Sequence, residues 1–179
     1  MMKKIGVLLL SILLTPVLAA VFGVLHDQVT YTFSPEYFTM FKFEQFGFWE
    51  HKLYGEKRVL VSMVGVMATW WTGLIIGIVY GFVGLIHADH KIMIRKIGWS
   101  LLITLIITIL FTCIGFVTGY FFLSEKQLTW HLPEDLPDKK SFITVGTMHN
   151  CSYLGGLFGL IAGLVYLVRN KLHIARFAA

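Results

Sequence analysis

Apolar residues run through this chain in four blocks, at 5–25, 59–86, 99–123 and 142–168, and no Asp, Glu, Lys or Arg interrupts any of them. A helix needs about 20 apolar residues to cross the ~30 Å hydrocarbon layer, so each block predicts one transmembrane helix. The predicted fold is all-α: a polytopic membrane protein forming one compact four-transmembrane-helix bundle over residues 1–179, with loops at 26–58 and 124–141. Small residues recur along one face of the second block, at Gly73, Gly77, Gly81 and Gly84, with Ser62, Gly65 and Thr69 extending the stripe. Gly155, Gly159 and Gly163 repeat it in the fourth block, and Gly115 and Gly119 mark the third. Such stripes let helix backbones approach closely, either inside one bundle or between two copies in a homo-oligomer. Pro16 should bend the first helix.

The first loop has its own pattern. Ser34-Pro35-Glu36 is a helix start, with a capping hydroxyl, a proline in the first turn and an acid near the positive end of the dipole. The aromatics that follow, Phe38, Phe41, Phe43, Phe46, Phe48 and Trp49, suit a membrane interface and predict a short interfacial helix lying across the bundle mouth as a lid.

Composition agrees with the blocks. At 56% hydrophobic and 14% charged, the 179 residues fall outside the range of an ordinary soluble domain. Lys3, Lys4, Lys91, Arg95, Lys96, Arg169, Lys171 and Arg176 fall on one side of a four-span arrangement, which is therefore expected to be cytoplasmic, with both termini inside. The other side mixes Lys42, Lys52, Lys57, Arg58, Lys126, Lys139 and Lys140 with nine acids. Topology thus accounts for the net charge of +5, and no nucleic-acid partner is expected. Membrane lipid is the expected partner, and the plasma or inner membrane the expected location. Met1-Met2-Lys3-Lys4 before an apolar run, with Leu18-Ala19-Ala20 as a cleavage region, also resembles a secretory signal. The run to Leu25 is longer than a usual signal core and favours an uncleaved helix.

The fourth block breaks into Thr147-Met148-His149-Asn150-Cys151-Ser152-Tyr153 near its outer end. Ionisable residues at such depth usually face a protein interior and serve binding or coordination. At ~100° per residue His149 shares the glycine face and points into the bundle. The first block leaves the membrane on the same side at His26-Asp27, and a lid helix would hang Glu36 nearby. Imidazole and carboxylate are ligands for zinc, iron or copper, so His26, Asp27, Glu36 and His149 are the candidate metal ligands, with Glu36 or Asp27 as a catalytic proton acceptor. The opposing reading has His26-Asp27 capping a helix while His149 bonds Asn150 or Thr112. One b-type haem between His26 and His149 is a further alternative.

Other groups carry less. His87 and His90 could share an ion if the second helix continued through them. Ser152, at i+3 from His149, is the best placed nucleophile, without an oxyanion motif beside it. Trp70-Trp71 reads as packing or as a stacking surface for a planar ligand. Cys113 and Cys151 read as two buried small hydrophobes or as an outer disulfide. His51, His131 and His173 read as surface residues. Two functions remain: a metal-dependent enzyme acting on a lipidic or membrane-proximal substrate, or a non-enzymatic bundle that binds lipid, carries a small solute or supports a complex.

Overall fold

In the computed structural model, which describes residues 1–49, 55–126, 130 and 132–177, and side chains only as far as 169, the chain is helical without strands among those residues. His51 and His131 lie outside the described residues, as does the side chain of His173. Six helices are α1 (Met2–Phe33), α2 (Pro35–Tyr37), α3 (Phe43–Gln45), α4 (Lys57–Gly84), α5 (His90–Thr118) and α6 (Lys139–Phe177). Wide π-type turns over Phe38–Lys42 and Gly119–Leu123 extend α2 and α5. Four helices, α1, α4, α5 with its extension, and α6, are long and apolar enough to cross a membrane.

Sequence neighbours pack together: α1 lies along α4 and α5 along α6, and the two pairs touch more lightly. Glycine makes the first pairing close. A Cβ at Gly73 would stand 2.6 Å from the Thr15 carbonyl oxygen and 2.8 Å from Pro16 Cα, and one at Gly65 would stand 2.6 Å from the Gly23 carbonyl oxygen. Backbone cannot yield there as a side chain could. Ser11 and Thr69 at these crossings bond to main chain, as apolar surroundings favour, whereas the buried Thr15 hydroxyl has no partner among the described residues. Ser11 Oγ reaches the Gly77 carbonyl at 3.1 Å, and Thr69 Oγ1 the Ala19 carbonyl at 2.9 Å. In the second pair Ser100 Oγ donates to the Gly163 carbonyl at 2.9 Å. Both glycine stripes are therefore occupied within the chain.

The fully buried Tyr80 links the pairs, its hydroxyl 2.7 Å from Thr104 Oγ1 and 3.1 Å from the Leu160 carbonyl oxygen. At the opposite end, α1 and α6 meet through Asp27 and His149.

Several expectations change. α1 continues to Phe33, eight residues beyond the predicted end of the first block, because nothing after Leu25 breaks a helix until the extended Ser34. His26 and Asp27 consequently sit inside a helix and cap nothing. Ser34 does cap α2, accepting from the Tyr37 amide at 3.3 Å with Pro35 in the first turn. The lid aromatics are not a uniformly exposed interface row: Phe38 and Phe43 are fully buried, and with Tyr37, Leu60, Val61, Val64, Phe142 and Val145 they form a hydrophobic core. Trp70 and Trp71 are exposed instead of packed in the bundle. Cys113 is exposed, Cys151 half-buried, and both are free thiols. His87 follows the end of α4, whereas His90 opens α5 behind the capping Asp89, so no continuous helix joins them.

The glycine contacts give a stability test. Gly73→Leu should lower unfolding stability in detergent by about 1–3 kcal/mol, since α1 and α4 must separate. Gly98 has nothing within 4 Å of its Cβ position, and Gly98→Leu should stay within about 0.5 kcal/mol of wild type in the same unfolding titration.

Candidate metal centre

Asp27, buried near the end of α1, is approached from two sides. His26 Nδ1 lies 3.2 Å from Asp27 Oδ1, and His149 Nε2 reaches the same oxygen at 3.1 Å from α6. The imidazole rings stand almost perpendicular, 4.7 Å apart between centroids. One ligand atom from each of the three residues lies within 4.8 Å of the others. Among the described residues no other group of three His, Cys, Asp or Glu side chains converges this way.

His149 constrains what occupies the centre. Its Nδ1 is 2.9 Å from the Val145 carbonyl oxygen, one helical turn back. A carbonyl only accepts, so Nδ1 carries a proton and donates. In neutral imidazole the other nitrogen then holds a lone pair, and that lone pair faces a carboxylate oxygen. Two electron-rich atoms at 3.1 Å repel unless a cation lies between or beside them: a proton or a metal ion. A metal-bound histidine commonly donates its second ring N–H to a carbonyl or carboxylate, which is the bond His149 makes. Two buried polar atoms at the centre, His26 Nε2 and Asp27 Oδ2, have no hydrogen-bond partner among the described residues. The donor set therefore fits a small divalent ion. A haem does not fit, because a macrocycle held by His26 and His149 would have to pass between rings already in edge contact across one carboxylate oxygen.

Aromatic residues close the centre from above. The Tyr37 ring lies 4.9 Å from the His149 ring, and the Phe38 ring 6.0 Å from it. Gly146, one turn before His149, leaves room for this cover: a Cβ there would stand 2.8 Å from Trp130 and 3.3 Å from Tyr37. Burial, with the Asp27 charge added, pushes the Tyr37 phenol well above its usual range, so it stays neutral.

Of the four predicted ligands, three converge. Glu36 is half-buried at the start of the lid, where the Ser34 hydroxyl donates to its Oε2 at 3.2 Å, and it is not part of the converging group. Ser152 gives its hydroxyl to the His149 carbonyl at 2.8 Å and does not address the ring. Thr112 bonds the Thr108 carbonyl, so the alternative partner proposed for His149 is engaged elsewhere. At the other end of the bundle, His90 Nδ1 sits 2.9 Å from Asp89 Oδ1 without a third ligand among the described residues.

Lys42 escaped sequence reasoning, where it counted among the loop charges. Its side chain is buried, at 7% exposure, within the π-type turn of the lid. Nζ donates to Gln45 Oε1 at 2.9 Å and lies 5.3–5.7 Å from the centroids of Phe41, Tyr37 and Phe46. No carboxylate of the described residues pairs with it. Burial pulls the ammonium below the usual lysine range, partly offset by Asp27. The only available signal was its position between Phe41 and Phe43, in a segment too aromatic to keep a lysine in water.

No protein family matches the chain, and neither a curated protein nor a solved structure matches it.

Asp27→Leu should destabilise the protein by about 3–5 kcal/mol in detergent unfolding, because the cation held between the carboxylate and the buried imidazoles then loses its counter-charge. Glu36→Gln should stay within about 0.5 kcal/mol of wild type in the same measurement.

Proposed function

We propose that this chain is an integral membrane protein of the plasma or inner membrane, with both termini cytoplasmic, that binds one divalent transition-metal ion through His26, Asp27 and His149 at its exported end. The observation that carries the reading is the His149 ring: Nδ1 is committed to the Val145 carbonyl, so Nε2 faces the Asp27 carboxylate and requires a cation there. Four helices of spanning length support the membrane part, and the distribution of Lys and Arg over the short loops supports the orientation.

Three protein ligands leave a zinc-like ion one open position, the arrangement of catalytic rather than structural sites. Held by His26, Asp27 and His149, such an ion would supply Lewis-acid chemistry, lowering the pKa of a water or polarising a carbonyl or phosphoryl oxygen. Glu36, carried on the lid next to Tyr37, is assigned the role of proton acceptor and not of ligand. Asp27 Oδ2, without a partner among the described residues, is the second acceptor at the centre. The aromatic cover excludes water and fits a lipidic substrate that enters from the bilayer side. A proton in place of the ion makes the rival, non-enzymatic reading, in which a charged His149–Asp27 pair only locks α6 to α1.

Elemental analysis of detergent-purified protein separates the two. Wild type should retain about one equivalent of zinc, iron or copper, His26→Ala and His149→Ala should lose it, and Glu36→Gln should keep it. Restoring the ion at 100 times its dissociation constant should raise the stability of the stripped wild type by about 2.7 kcal/mol. Metal-free wild type that melts identically with and without added ions would contradict the metal reading.

A further inference from the structure

The metal centre leaves one buried charge without a task. Lys42 is the only described lysine classed as buried, and its hydrogen-bond partner is the neutral Gln45. Long lysines near an interface ordinarily reach for water with the head group while burying the stem. Lys42 instead turns its ammonium toward the ring faces of Tyr37, Phe41 and Phe46, and an ammonium has three donors, of which Gln45 takes one. Tyr37 connects this ammonium to the metal centre: one ring lies 5.7 Å from Lys42 Nζ and 4.9 Å from the His149 ring.

Charge identifies what would sit between them. A divalent ion on Asp27 and two neutral imidazoles leaves a net charge of +1, and Lys42 adds another +1. A carboxylate or a phosphodiester, each −1, would neutralise half of that. A phosphate monoester, at about −1.5 to −2 near neutral pH, balances it and brings several acceptor oxygens for the unused lysine donors and the open metal position. Exposed Phe33 and Phe41 flank the lid with apolar surface suited to an acyl chain.

We propose that Lys42 and the metal centre together bind a dianionic phosphate group, of a monoester or of free phosphate, which enters as the Tyr37 ring is withdrawn from between them. This rests on ion binding at His26, Asp27 and His149. The phosphate is carried by a lipid such as phosphatidic acid or arrives as free phosphate. Tyr37 is the gate, and the π-type turn Phe38–Lys42 is the segment whose rearrangement moves it, since such turns are irregular and recur at functional sites.

The test uses full-length wild type, Lys42→Met and Lys42→Arg in phosphatidylcholine nanodiscs, each loaded with zinc, with zinc content and a melting curve recorded on every sample. Inorganic phosphate and short-chain phosphatidic acid are the two probes, followed by calorimetry. Zinc-loaded wild type should bind one of them at least tenfold tighter than the stripped protein does. Lys42→Met should lose at least tenfold in affinity at unchanged zinc content, and Lys42→Arg should recover most of it. Preference for phosphatidic acid assigns the lipid source, and equal or better binding of inorganic phosphate assigns the free anion. Zinc-loaded wild type that binds neither probe, or a Lys42→Met protein that binds as wild type does, overturns the proposal and leaves the metal centre standing. Wild type that holds neither zinc nor iron nor copper overturns both. If Lys42→Met does not fold, Lys42→Gln takes its place under the same criteria.

Discussion

A carboxylate buried between two imidazoles, Asp27 with His26 and His149, sets the terms for the lid end of this protein. Burying such a charge costs several kcal/mol unless partners and hydrogen bonds compensate it, so helices α1 and α6 must meet at one depth and in one rotation. The remaining devices follow from that demand. α1 extends beyond the apolar block to carry Asp27, and the Val145 carbonyl holds the His149 ring in the required orientation. Gly146 lets Tyr37 and Trp130 come down over the centre. Glycines on α4 let α1 lie close enough that the pairing is rigid, and Tyr80 fixes the two helix pairs at the far end.

Helix content was legible because it rests on two robust signals, long uncharged apolar blocks and small-residue stripes, both of which depend only on local sequence. The inward rotation of His149 was legible too, since the helical repeat alone placed it on the glycine face. Pairing with His26 and Asp27 required only that adjacent helices run antiparallel and expose their polar ends at one level. The Ser34-Pro35-Glu36 start marked α2 through backbone chemistry that acts within four residues.

What the sequence hid was three-dimensional or depended on context. The end of α1 could not be found from hydropathy, because the helix outlasts the apolar run and stops only where Ser34 becomes extended. The direction of the lid aromatics was hidden for the same reason: an interface row and a buried cluster have one composition, and the π-type turn shifts which residues face inward. Glu36 was expected among the ligands because it is the acid nearest the lid start, yet the Ser34 hydroxyl engages it locally. Lys42 was counted with the loop charges because charge bookkeeping assigns every lysine to water. Its burial follows from the tertiary packing of Tyr37, Phe41 and Phe46 around it.

The proposed ion joins α1 to α6 through two imidazoles and one carboxylate, and X-ray absorption at the edge of the bound metal tests this directly. A first shell of two imidazole nitrogens and at least one oxygen at about 2.0–2.2 Å without sulfur is predicted for wild type, and no bound metal in His26→Ala or His149→Ala. A shell that includes sulfur, or one unchanged when His26 or His149 is replaced, would contradict it.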